Sequence, residues 1–91
     1  MIKYCLFKTN TFKRSYKKKR LSDEEELAYI DVAYNLLCGN KLVEKYKDHQ
    51  LIGNMKDFRE CHIKPDLLLI YMIEDETLKL VDIGSHSELF D

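Results

Sequence analysis

Three histidines, His49, His62 and His86, all fall in the second half of a 91-residue chain. Imidazole takes up and releases protons near neutral pH, and a neighbouring carboxylate fixes the orientation of the ring. Acid-base cleavage of a phosphodiester requires such groups. Ile63-Lys64-Pro65 separates two strand-like stretches, so His62 and Asp66 are expected to flank a hairpin loop as directly opposed residues, with Cβ atoms about 4.5 to 5.5 Å apart. Along the first of these strands, the period of two places Phe58, Glu60 and His62 on one face, with Arg59 and Cys61 on the other. A lone histidine is most often a hydrogen-bonded surface residue; three with a paired carboxylate make an acid-base site the sharper expectation. The competing chemistry is a zinc site built from His49, His62, His86 and Asp66. Its spacings lack the short Cys or His pairs of structural zinc motifs, and Cys61 and His62, as strand neighbours, face opposite sides.

The elements that must position these residues are legible in outline. Ile2 to Phe7 is rich in strand formers and predicts a short first strand. Thr9, Asn10 and Thr11 offer N-cap oxygens to a helix on which Phe12 and Tyr16 make a narrow apolar stripe. Ser22 with Glu25 forms a capping box that opens a second helix, its inner face expected to run Leu27, Ile30, Tyr34, Leu37 until Gly39-Asn40 ends it. A polar connection leads to three strand candidates, Met55 to His62, Asp66 to Ile73 and Thr77 to Ile83, whose short links favour antiparallel pairing. A tail turn follows over Ser87 to Phe90. The fold expected is α+β: a short N-terminal strand and a two-helix hairpin packed on a mostly antiparallel sheet, with a short C-terminal helical turn.

The length suits one small domain over residues 1–91, and 45% hydrophobic with 34% charged residues describes a chain that folds rather than one that stays disordered. The longest apolar stretch, Leu67 to Ile73, is far short of the roughly 20 residues of a membrane span. The start MIKYCLFKTN has no small-residue cleavage site, so a cytoplasmic location is expected. Cys5, Cys38 and Cys61 are widely spaced without a CxxC pair and read as reduced packing residues. The net charge of -1 conceals segregation. Residues 1–20 carry Lys3, Lys8, Lys13, Arg14, Lys17, Lys18, Lys19 and Arg20 with no acid, and residues 21–31 carry Asp23, Glu24, Glu25, Glu26 and Asp31 with no base. Lys17 to Arg20 is either a solvated helix end or a stripe that contacts phosphates.

Tyr46-Lys47-Asp48-His49, Leu51 with Gly53, Phe58-Arg59-Glu60-Cys61-His62, Lys64-Pro65-Asp66 and Gly84-Ser85-His86 ending in Leu89-Phe90 closely resemble the YafQ branch of the RelE superfamily of bacterial toxins. The resemblance covers about half of the chain; the N-terminal half matches in its strand and two-helix layout. It implies a ribosome-dependent mRNA interferase that enters the A site and cuts without a metal ion or other cofactor. The ribose 2′-OH would attack the adjacent phosphorus, leaving a 2′,3′-cyclic phosphate and a 5′-OH. His49, His62, Asp66 and His86 correspond to the family's active-site positions. Glu60 corresponds to a carboxylate there. His86 is then expected as general acid, His62 or His49 as base, and Asp66 as the group that orients His62. Lys56 and Arg59 would contact phosphates, and Phe90 would either stack on a nucleobase or cover the core edge. Two positions depart from the pattern. Asp82 stands where many relatives carry a phosphate-stabilising arginine, and Leu67 replaces a tryptophan of some members. The family also implies a cognate antitoxin with a ribbon-helix-helix DNA-binding end, operator DNA being reached only through that complex. The rival reading is a module that binds ribosome or antitoxin without efficient cleavage.

Overall fold

The computed structural model describes residues 1–90. Thr9 caps the first helix, α1 (Asn10–Lys19), through a hydrogen bond that its hydroxyl oxygen accepts from the Phe12 N–H. Three lysines fill its last turn, where the helix dipole favours them. The second helix, α2 (Asp23–Leu37), opens on the expected capping box: Glu25 N–H donates to Ser22 Oγ, and Ser22 N–H donates to the Glu25 carboxylate.

The inner face of α2 differs from the expected one. Tyr29, Val32, Ala33 and Leu36 are buried, whereas Leu27, Ile30 and Tyr34 are 68%, 51% and 52% exposed. Two apolar lines compete on this helix, and α1 decides between them. Tyr29 packs on Phe12 and Tyr16, with ring centroids 6.1 and 5.3 Å away, and the Tyr16 hydroxyl donates to Glu26. That aromatic contact fixes the rotation of α2 about its axis.

Both helices cover one face of a five-stranded sheet of order β1-β5-β4-β3-β2. Its strands are β1 (Cys5–Lys8), β2 (His49–Gln50), β3 (Arg59–Lys64), β4 (Leu67–Glu74) and β5 (Thr77–Gly84). β1 runs parallel to β5 and the other neighbours are antiparallel. The α+β expectation therefore holds, with shifted strand boundaries and one strand that was not expected. β1 starts at Cys5 instead of Ile2, and Cys5 is exposed there, not packed. Met55 belongs to a 3-10 turn, Gly53–Met55, that delays β3 to Arg59. The two-residue β2 has no strand signal of its own in the sequence.

The core beneath the helices joins Phe12, Tyr29, Val32 and Leu36 to Cys61, Ile63, Leu69, Tyr71, Leu78 and Leu80 of the sheet. Burial pushes the Cys61 thiol far above its ordinary range, as befits an inert packing residue. Leu68 and Ile70, although buried, point to the opposite face. Among the described residues no helix is long and apolar enough to cross a membrane.

A short helix, α3 (His86–Phe90), folds back against β5. Its carboxylate anchor is Glu88, which accepts from the Ser85 N–H at 2.7 Å and from Lys19 Nζ of α1 at 2.9 Å. Gly84 permits the approach, since a Cβ there would stand 3.0 Å from Glu88 Oε1. The Ser85 hydrogen bond first, and the Lys19 ammonium after it, hold the Glu88 carboxyl down to about 2. A depressed acid stabilises the fold fully above its unfolded value and loses that contribution as pH falls through its folded one. Backbone amides of α3 should therefore lose hydrogen-exchange protection as pH falls from about 4.5 toward about 2, before the sheet amides do; simultaneous loss would refute the anchor role.

The β4–β5 turn carries a second testable feature. Asp75 and Glu76 both adopt positive φ, 50° and 62°, the type I′ geometry that glycine or asparagine suits best. A left-handed backbone costs an ordinary residue roughly 1–2 kcal/mol. Glu76→Gly should stabilise the protein by about 1 kcal/mol, raising Tm by roughly 4–8 °C in calorimetry.

Candidate active site

Strand register carries the histidines together. β2 opposes His49 to Glu60, and β3 brings His62 two residues further along the same face. Glu60 is 5% exposed, the one buried charged residue among the described residues. Its Oε1 lies 3.3 Å from His49 Nε2 and 3.4 Å from His62 Nε2, and the two rings are 6.4 Å apart between centroids. One carboxylate oxygen thus orients two imidazoles. His49 Nδ1 lies 2.8 Å from the Lys47 carbonyl. Both of its nitrogens therefore face oxygen atoms of the protein. The described contacts of His62 use Nε2 alone and leave Nδ1 for a substrate proton.

The expected pairing of Asp66 with His62 is not formed. β3 runs on to Lys64 and β4 begins at Leu67, with a register shift between His62 and Lys64, so the hairpin closes in the two-residue turn Pro65-Asp66. His62 opposes Leu68 instead. Asp66 Oδ1 accepts the His86 N–H at 3.1 Å, an anion at the start of α3. Asp66 therefore positions His86, and Glu60 takes the orienting place that the sequence reading gave to Asp66. No group of three His, Cys, Asp or Glu side chains among the described residues is arranged to hold a metal ion, so the zinc set is not assembled.

His86 is held by another route, through its N–H on Asp66. His62, Leu68 and Gly84 form one row across β3, β4 and β5, and His86 stands two residues beyond Gly84. Two strand spacings separate the ends of that row, about 9–10 Å. Phe90 packs against the His86 ring at 5.2 Å, half-buried, with one ring beside the other.

The remaining predicted contacts divide. Lys56 is exposed just after the Gly53–Met55 turn, its carbonyl accepting from Gln50 Nε2 at 2.6 Å. Arg59 points away from the histidines, as the period of two requires. Its guanidinium pairs with Asp48 at 3.2 Å and lies 3.3 Å from the Tyr71 hydroxyl, which itself donates to Asp48 at 2.5 Å. Burial and then Asp48 push the Tyr71 phenol up, so it stays a donor. Arg59 is thus occupied in tying down the segment that carries His49. Asp48 and Tyr71 were missed in the sequence; the Asp-His neighbours at 48 and 49 were the one available signal.

Asp82 lies on the site face, in the row Glu60, Ile70, Asp82. Its Oδ1 accepts the N–H of Ile83 at 2.8 Å. Lys18 and Lys19 of α1 share a cleft of about 270 Å³ with it.

A family model described as "Bacterial toxin of type II toxin-antitoxin system, YafQ" matches residues 4–91. The chain is 39% identical over 75 residues to the mRNA interferase toxin YafQ of Escherichia coli K12, covering 80% of this chain and 78% of the relative. The crystal structure of a metal-bound toxin from Helicobacter pylori is similar with a TM-score of 0.84 at 43% identity, covering 99% of this chain and 100% of that one. A chain of the Escherichia coli DinJ-YafQ toxin-antitoxin complex gives 0.80 at 31% identity, over 99% and 100% of the two chains. With its histidine-bearing half and its helical half both inside the matched span, this chain belongs to the YafQ family of bacterial toxins of type II toxin-antitoxin systems.

Proposed function

We propose that this toxin is an endoribonuclease that cuts mRNA in the ribosomal A site by acid-base catalysis. The observation that carries the reading is the single Glu60 oxygen facing both His49 and His62, with His86 two residues beyond Gly84, the β5 member of the row that starts at His62. In the proposed reaction His62 Nδ1 takes the proton of the 2′-OH, whose oxygen attacks the adjacent phosphorus. The bond from phosphorus to the 5′-oxygen breaks, and His86 protonates that oxygen. His49, held between Glu60 and the Lys47 carbonyl, lines the site beside the developing phosphorane. Lys56 is exposed and available to a neighbouring phosphate, and Phe90 offers a stacking surface next to His86.

A cognate antitoxin is the proposed partner, supported by the relative whose structure was solved as the DinJ-YafQ complex. The exposed Leu27, Ile30 and Tyr34 on α2 give such a partner apolar area to cover. Operator DNA would be contacted through that complex, and the proposed compartment is the cytoplasm, where translating ribosomes are.

Asp82 favours slow turnover, since its strand position lies in the row of Glu60 and Ile70 and a carboxylate there opposes an approaching phosphate. The test is induction of wild type and His86→Ala in cells, with mRNA 5′ ends mapped by primer extension. Wild type should create new ends within translated reading frames, and loss of the general acid should reduce them by about 10²-fold or more. No new ends with wild type would overturn the enzyme reading in favour of a binding module. On ribosomes programmed with message, Asp82→Arg should cleave faster than wild type; an unchanged rate would place residue 82 outside the reaction.

A further inference from the structure

β2 ends at Gln50 and opposes Arg59 and Glu60 alone, so no strand covers the outer edge of β3 from Cys61 to Lys64. The Leu51 N–H donates to the Phe58 carbonyl at 3.0 Å, which sets the parity of β3. Every second residue from Phe58 turns its N–H and C=O outward, so those of His62 face the uncovered edge. Along this edge lies a cleft of about 390 Å³. Ala28, Tyr46, Ile63 and Pro65 give it apolar walls, and three lysines, Lys45, Lys47 and Lys64, line it as well, with Lys45 Nζ 5.2 Å from the Tyr46 ring centroid. His62 lines it as well, so the cleft and the histidine cluster share a residue.

Charge and shape select the occupant. Glu24 is the acid that reaches this rim, and it is held by Lys64 at 2.7 Å. Lys45 and Lys47 are exposed, and neither has a carboxylate partner among the described residues. The volume lies within the range of roughly 300–1,000 Å³ typical of small-ligand sites. Apolar walls take a base, outward main-chain N–H and C=O groups read its edge, and two ammonium groups hold a phosphate.

We propose that this cleft is a nucleotide subsite that binds the base next to the scissile bond on the His62 side, with the phosphate of that nucleotide on Lys45 and Lys47. The proposal rests on the endoribonuclease reading and adds to it a site of base recognition away from the reacting atoms. Lys47 links the two regions, because its carbonyl meets His49 and the same residue lines the cleft.

The test uses the full chain and a short single-stranded RNA made uncleavable by a 2′-deoxy sugar at the scissile position. Methyl NMR of Ala28 and Ile63 should show saturable shifts on titration. Affinity should fall with salt, and the Lys45→Ala/Lys47→Ala double variant should flatten the slope of log K against log salt by about 1.4, two single-strand phosphate contacts at about 0.7 each. Ala28→Phe, which fills the cleft, should abolish the Ile63 shift while shifts at His62 persist. Methyls that stay still while His62 responds, or an unchanged salt slope in the double variant, would overturn the subsite. Failure of the endoribonuclease reading is seen separately, as absence of new mRNA ends with wild type.

Discussion

The structure turns on one buried charge. A carboxylate nearly closed off from water costs several kcal/mol unless polar partners replace its hydration. Glu60 meets that demand with imidazoles on both sides, one from its own strand and one from β2. Because each ring nitrogen must turn toward the same oxygen, burial of the acid also sets the orientation of two reactive side chains. Stability and reactivity are coupled here through geometry: the site exists because the sheet needs it.

Alternation along β3 makes this possible. Cys61 and Ile63 face the helices and join the core, while Glu60 and His62 face the other way. The core beneath α1 and α2 holds the strand flat from behind, and Leu68 and Ile70 support the site face from the neighbouring strand. Arg59 shows the same division from the other side. Its guanidinium is held by Asp48 and Tyr71, where it fastens the segment that delivers His49.

The third histidine depends on tethers rather than on the sheet. α3 is too short to be stable alone, and isolated helices shorter than about 12–15 residues are marginal in water. Asp66 takes its first N–H, Glu88 joins Ser85 to Lys19, and Gly84 lets the chain come close. These links run from the β3–β4 turn and from α1, so His86 is placed by parts of the chain remote from it in sequence.

The family motifs, the α+β class, the two helix caps and the shared strand face of Glu60 and His62 were readable from the residues, because caps, turns and strand alternation are local consequences of side-chain chemistry. The capping box at Ser22 and the separation of Arg59 from Glu60 are of this kind. Which carboxylate meets which ring was not readable. A register shift after His62 moved Asp66 into the turn and left Glu60 as the bridge, and a two-residue β2 supplied the second imidazole. The rotation of α2 was likewise settled by aromatic contacts with α1. Sequence sets what each residue can do and which way it alternates; pairing across strands and between helices is a competition among distant partners, and only the packed chain decides it.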